Sequence, residues 1–256
     1  MSVSLKTKED IEGIKKANQI IARLYENILP EHIKPGISTA EINKIAEDYI
    51  RSQGAIPGTI GVEGLYVPFP AGTCISVNDQ VVHGIPSEDV ILKEGDIVSV
   101  DTVTILDGYY GDAAITYPVG KIDEETQKLL DVTKKARDIG IEAAVVGNRL
   151  GDIGHAIQSY VEKNGFSVVR DYAGHGVGFE MHEDPIVANY GRRGRGYKIE
   201  EGMVIAIEPM VNAGSYKINM LEDGWTVVTR DGKKSAHFEH SIAIVDGKPV
   251  ILSKLD

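Results

Sequence analysis

Asp101, Asp112, His175, Glu208 and Glu239 are residues whose types suit one chemistry, the holding of divalent cations. Carboxylates with an imidazole and no thiolate make a hard, oxygen-rich donor set. Such a set suits paired Mn, Fe or Co ions better than a structural zinc. Two ions about 3.5–4 Å apart hold a bridging hydroxide, a nucleophile available at neutral pH. The first two carboxylates lie within VSVDTVTILDGYYGDAAIT, in which Asp107-Gly108 is a two-residue hairpin signal. Pairing across that turn sets Asp101 opposite Ala114 and Asp112 opposite Val103. Alternation of faces then brings the two acids diagonally together, about 7–8 Å apart at the backbone. The strand around Asp101 is too apolar to be surface, and a buried carboxylate without a cation is costly.

His175 and His182 frame GHGVGFEMH. Their spacing and the glycines between them exclude a helical HExxH zinc site. The glycines are expected to let backbone and substrate approach a metal closely. Glu208 precedes Pro209, so its strand should end or bulge there. Glu239 and His240 are neighbours in the alternating stretch AHFEHSIAIV, so only one of them can share the face of Glu208. The pattern alone leaves that choice open.

The elements that must position these groups repeat within the chain. GISTAEINKIAEDYIRSQGA (36–55) aligns without a gap on GNRLGDIGHAIQSYVEKNGF (147–166), and KEGDIVSVD (93–101) on EEGMVIAIE (200–208). The first pair reads as amphipathic helices ended by glycine, the second as buried strands ended by Asp101 and Glu208. A duplicated helix-plus-strand unit predicts two halves, about 1–120 and 121–256, related by a pseudo-twofold axis within one domain, 1–256. Helices are predicted at about 7–29, 38–53, 123–146 and 150–164. Strands are predicted at about 72–77, 96–106, 109–117, 166–169, 203–210, 225–229 and 237–245. The fold class is α+β, with helices outside a curved, mostly antiparallel sheet.

Bulk properties narrow the setting. The chain has 256 residues and a formal net charge of −11, with no basic stripe beyond Arg192, Arg193 and Arg195 in a Gly-rich loop. Nucleic acid is therefore not expected as the main ligand. The lone Cys74 permits no internal disulfide and fits a reducing compartment. The N-terminus carries charges where a signal peptide needs an apolar core. No apolar run approaches the roughly 20 residues that span a bilayer. A cytoplasmic protein without membrane association is expected, with monomer as the default state.

Several motifs in order, CISVNDQVVHGIP, GYYGDAA, YAGHGVG, MHEDP, IEPMVNAG, DGWTVVT and FEHSIAI, resemble those of type I methionine aminopeptidases. The resemblance runs from about residue 3 to residue 252 and implies the pita-bread fold. It implies hydrolytic removal of the initiator methionine from nascent proteins whose second residue is small, with the ribosome as a further partner. It implies two divalent ions per chain, drawn from Co, Mn, Fe, Ni or Zn, with attack by their bridging hydroxide. Asp101 and Asp112 would bind one ion, Asp112 and Glu239 would bridge both, and His175 and Glu208 would complete the second. By the same resemblance His182 would contact the scissile carbonyl or amide nitrogen. His83 would sit at the substrate's N-terminal end, and Glu208 would accept a proton. Tyr66, Phe69, Cys74, Met181 and Trp225 match positions that line the methionine pocket, although core packing alone would also account for their types.

Only 31 positions separate Glu208 from Glu239, which leaves no room for the helical insertion of type II enzymes. Nor does the sequence show the zinc-binding N-terminal extension of eukaryotic type I enzymes, so it resembles the short bacterial form. It departs from many relatives at Tyr110, Val103 and Ala113, where His, Thr and Thr are common, and these neighbours of the ligands are expected to tune metal preference. X-Pro aminopeptidases and prolidases, the rival activity on this fold, usually carry an additional N-terminal domain. Ser2 is small, so the chain is expected to process its own initiator Met.

Overall fold

The computed structural model describes residues 3–255; Met1 and Ser2, and with them the expected self-processing, lie outside the described residues. The first helix, α1 (Lys8–Arg23), starts at a capping box: the Thr7 amide donates to Asp10 Oδ2 and the Asp10 amide to Thr7 Oγ1. It runs through a π-helical stretch, Leu24–Ile28, into the short α2 (Leu29–His32). The helix α3 (Thr39–Ser52) follows, capped by Ser38 and Glu41. Next come β1 (Ile56–Pro57), β2 (Cys74–Val77), β3 (Gln80–Val82), β4 (Ile97–Leu106) and β5 (Tyr109–Pro118). The long β4 pairs with β5 along one edge and with β2 and then β1 along the other.

The second half opens with α4 (Glu124–Ala143) and α5 (Leu150–Lys163), then β6 (Ser167–Val168), β7 (Gly174–Gly176), β8 (Glu183–Val187), β9 (Val204–Ile207) and β10 (Met210–Asn212). It closes with β11 (Ile218–Met220), β12 (Val227–Thr229), β13 (Ser235–His237), β14 (His240–Val245) and β15 (Lys248–Ile251). A five-stranded sheet has the order β15-β14-β9-β7-β8, and two three-stranded sheets have the orders β13-β10-β6 and β11-β12-β3. Every ladder between these strands is antiparallel.

Two local features recur at matching points of the sequence repeat. The Ser38 amide donates to Glu41 and the Arg149 amide to Asp152, at the same point of α3 and α5. Just ahead of each helix lies a single antiparallel bridge, Ser38 with Ile91 in one half and Arg149 with Lys198 in the other. Apolar burial divides in the same way. One cluster gathers Ile21, Leu24, Ile42, Ile50, Val98 and Val100. The larger one gathers Leu129, Ile153, Ile157, Ile205, Ile207 and Ile242. Ile115 of β5 packs against both.

The run at 203–210 breaks at Glu208-Pro209, where the proline was expected to end or bulge it, and the run expected as one strand at 237–245 is corrected, since it breaks at Phe238-Glu239. The breaks face each other: Ile207 pairs with His240 in the larger sheet, and Met210 pairs with His237 in the smaller one. Two antiparallel strands thus change sheets together, and a metal-type carboxylate stands at each break. The Gly-rich GHG, which lies outside the predicted strands, forms the strand β7.

Candidate metal centre

The Asp107-Gly108 turn has positive φ at both residues, 52° and 83°, as a tight hairpin requires. It sets the expected register: Asp101 faces Ala114 and Val103 faces Asp112. Asp112 is 4 % exposed, and its amide donates to Asn18 Oδ1 in α1. His175 reaches the same place from β7, with Nε2 3.7 Å from Asp112 Oδ2 and 3.4 Å from Glu208 Oε1. Its Nδ1 is 2.9 Å from the Gly176 carbonyl. A carbonyl only accepts, so the ring proton sits on Nδ1 and the Nε2 lone pair faces the carboxylates, as in a metal ligand. Glu239 is 2 % exposed, its amide donates to the Ala114 carbonyl, and its Oε1 has no hydrogen-bond partner among the described residues. Between the alternatives left by the sequence, Glu239 turns to the acids, whereas His240 turns to Ser253.

Donor atoms of Asp112, His175 and Glu239 lie within 4.8 Å of one another, and so do those of Glu208, His237 and Glu239. Glu239 is common to both groups, so it stands where one carboxylate can serve two ions. Asp101 falls in neither group but lines the same cavity. Burial pushes the Asp101 carboxyl up to about 6 and that of Glu208 up to about 7. Burial, then the neighbouring carboxylates, push Asp112 and Glu239 well above the usual range. Four buried acids that resist ionising together, beside an imidazole lone pair and a partnerless oxygen, fit a cationic centre.

The glycines beside His175 fit their strand against its neighbours. A Cβ on Gly174 would stand 2.2 Å from the Ala206 carbonyl oxygen, and one on Gly176 would stand 2.4 Å from that of Asp184. They let β7 pack between β8 and β9.

A cavity of about 640 Å³ opens on the acids. Phe69, Cys74, Met181 and Trp225 line it, with Phe69 and Trp225 in edge-to-face contact at 5.1 Å. Tyr66 does not line it; its side chain is turned outward and is 75 % exposed. His83 and His182 are both at the cavity. His83 holds a left-handed backbone, φ 59°, the kind of strain that collects at functional sites. Its imidazole is pushed down to about 4, first by burial and then by the His237 and His182 charges. The His182 ring packs edge-on to that of His175, with centroids 4.4 Å apart, and burial lowers its pKa. His237 was missed by sequence reasoning. It is two residues from Glu239, so strand alternation could have placed it on the same face.

A profile of Metallopeptidase family M24 matches residues 12–246. The chain belongs to this family. It is 51% identical over 251 residues to the methionine aminopeptidase of Clostridium acetobutylicum, with 98% of each chain covered. The crystal structure of methionine aminopeptidase from Rickettsia prowazekii superposes with a TM-score of 0.94 at 42% identity, covering 98% of this chain and 100% of that one. Prolidase from Pyrococcus furiosus superposes with a TM-score of 0.75 at 24% identity, covering 98% of this chain and 66% of that one, which shows a shared fold. The architecture of this M24 chain is the pita-bread fold expected from its sequence. None of its described helices is long and apolar enough to cross a membrane.

Proposed function

We propose that this chain is a methionine aminopeptidase of the short bacterial type I form, removing the initiator methionine from chains whose second residue is small. The observation that carries the reading is the gathering of Asp101, Asp112, His175, Glu208 and Glu239 at one cavity, in a chain alike over its whole length to proteins of that activity. The reading treats residues 1–256 as one catalytic domain of two halves. Its substrates are the N-termini of nascent polypeptides, met in the cytoplasm and at the ribosome.

Asp101 and Asp112 would hold one divalent ion, His175 and Glu208 the other, and Asp112 and Glu239 would be shared. Co, Mn, Fe, Ni and Zn all accept such donors. When bound, the ions supply Lewis acidity and lower the pKa of water to near neutral. Glu208, a carboxylate at the cavity, accepts the proton of the attacking water. His182, at the cavity, donates to the oxygen that gains charge as the carbonyl becomes tetrahedral. His83 is neutral at working pH because it is pushed down to about 4, so it can meet the substrate amine without repelling it. Phe69, Cys74, Met181 and Trp225 take the thioether side chain, which aromatic and sulfur-bearing walls bind well.

The test is hydrolysis of Met-Ala-Ser and Ala-Pro-Ala by metal-free protein with Mn, Fe or Co restored. Release of Met from the first peptide alone, dependent on metal, is the expected result. Cleavage of the second alone would move the chain to the X-Pro class, and no cleavage with any metal would overturn the enzymatic reading.

A further inference from the structure

The proposed centre leaves one buried imidazole without a task. His237 ends β13, is 1 % exposed, and neither of its ring nitrogens has a hydrogen-bond partner among the described residues. Its backbone pairs with Met210 of β10 and is also held by a hydroxyl of β5. The His237 amide donates to Thr116 Oγ1 at 2.9 Å, and that hydroxyl lies 2.8 Å from the His237 carbonyl. The ring is thus held where β5 meets β13, and leaving both its nitrogens idle costs free energy.

Its nearest charged neighbour is Glu208. Nε2 of His237 lies 3.4 Å from Glu208 Oε2, while the other oxygen, Oε1, lies 3.4 Å from His175 Nε2. The carboxylate is therefore flanked by two imidazoles, one at each oxygen. His175 has its proton on Nδ1 and offers a lone pair. His175 and Glu208 would share an ion, which answers their facing acceptors; His237 stands outside the five proposed ligands, so a lone pair there would face Oε2 bare at 3.4 Å, and its proton belongs on Nε2. We infer that His237 is a positioning residue whose Nε2–H holds Oε2 of Glu208 and so presents Oε1, beside His175, to the second metal. This inference rests on the proposed metal centre. It assigns His237 the task of aiming a ligand and not that of a sixth ligand. A ligating carboxylate held by a hydrogen bond of this kind loses about 10–100-fold in metal affinity when the partner is removed.

The experiment is titration of metal-free protein with Mn²⁺, reading the free ion by its electron paramagnetic resonance signal. Wild type is compared with His237→Leu, His237→Gln and His237→Asn. Leucine fills the space without a donor, glutamine keeps an N–H at similar reach, and asparagine has one that falls a methylene short. His237→Leu should weaken one binding step about 10–100-fold and leave the step that uses Asp101 and Asp112 near the wild-type value. His237→Gln should restore most of the loss and His237→Asn little of it. If the leucine variant does not fold, the glutamine–asparagine pair carries the same contrast. Wild-type affinity in the leucine or asparagine variant would overturn the inference. So would a glutamine variant as weak as the leucine one, which would make the ring itself a ligand. Wild-type protein that takes up no Mn²⁺ would overturn the metal centre, and the inference with it.

Discussion

Gly174 shows how tightly the ligands are placed at the scale of single residues. A methyl group there would meet the carbonyl oxygen of Ala206 at 2.2 Å, and backbone of a central strand cannot swing aside as a side chain can. Gly174→Ala should therefore push β7 off β9, at about 1–3 kcal/mol, and carry His175 away from Glu208. Urea unfolding and Mn²⁺ affinity should both fall; a variant unchanged in both would show that β7 yields without moving its histidine. Residues differ in how far the sequence revealed them. Asp101 and Asp112 were legible because a two-residue turn leaves no freedom of register. The glycines were legible as a constraint but not as to which atoms impose it, because Ala206 and Asp184 come from other strands. His237 was passed over because its neighbour Glu239 accounted for the motif. Tyr66 matched the pocket by position, yet a side chain that is 75 % exposed has no packing that sequence could read.

At the scale of elements, the loop between β7 and β8 carries Met181 and His182 and is closed by Glu183. One oxygen of that carboxylate, Oε1, accepts the Phe179 and Glu180 amides, at 2.6 and 3.0 Å. The other, Oε2, is paired with Lys6 Nζ, whose side chain is 1 % exposed. The lysine is itself fixed where its amide donates to the Gly202 carbonyl. Lys6→Met removes the cation and leaves a buried carboxylate, which should cost about 3–5 kcal/mol. Adding Glu183→Gln should recover much of that, since the amide oxygen still accepts both N–H groups. Urea unfolding of the single and double variants measures this, and a cost under about 1 kcal/mol for Lys6→Met would mean that Glu183 does not depend on the lysine. Sequence could not show this clamp, because its partners are far apart in the chain and each reads as a surface charge. The strand break at Glu239 was hidden for a similar reason, whereas Pro209 marked the one at Glu208. The β-pattern runs on through Glu239, and only the partner strand shows that the sheet has changed.

At the scale of the whole molecule, carboxylates from β4, from β5 and from the breaks that follow β9 and β13 meet at one cavity. The cost of the arrangement is electrostatic, and it predicts a pH dependence. In the metal-free protein Asp101 is raised from 3.8 to about 6, Glu208 from 4.5 to about 7, and Asp112 and Glu239 well above their usual values. A carboxyl raised on folding contributes stability that is complete below its unfolded pKa and is lost as pH rises through its folded one. The histidines oppose this at lower pH. Burial depresses His83, His175, His182, His237 and His240 below 6.5, so their contribution is lost as pH falls beneath that value. Above about pH 7.5, a unit past the unfolded imidazole value, the imidazoles are neutral in both states and only the acids remain to titrate. From there to about pH 8.5 the metal-free protein should lose up to about 1.4 kcal/mol per pH unit for each proton it still holds. Saturating Mn²⁺ replaces those protons, and its affinity rises as they leave. The gain in Tm on adding metal should therefore be larger at about pH 8.5 than at about pH 7.5. Scanning calorimetry of metal-free and loaded protein across that range tests it. A metal-free Tm that stays level across it would mean that the buried acids are already ionised, and that something other than protons holds them together before the metal arrives.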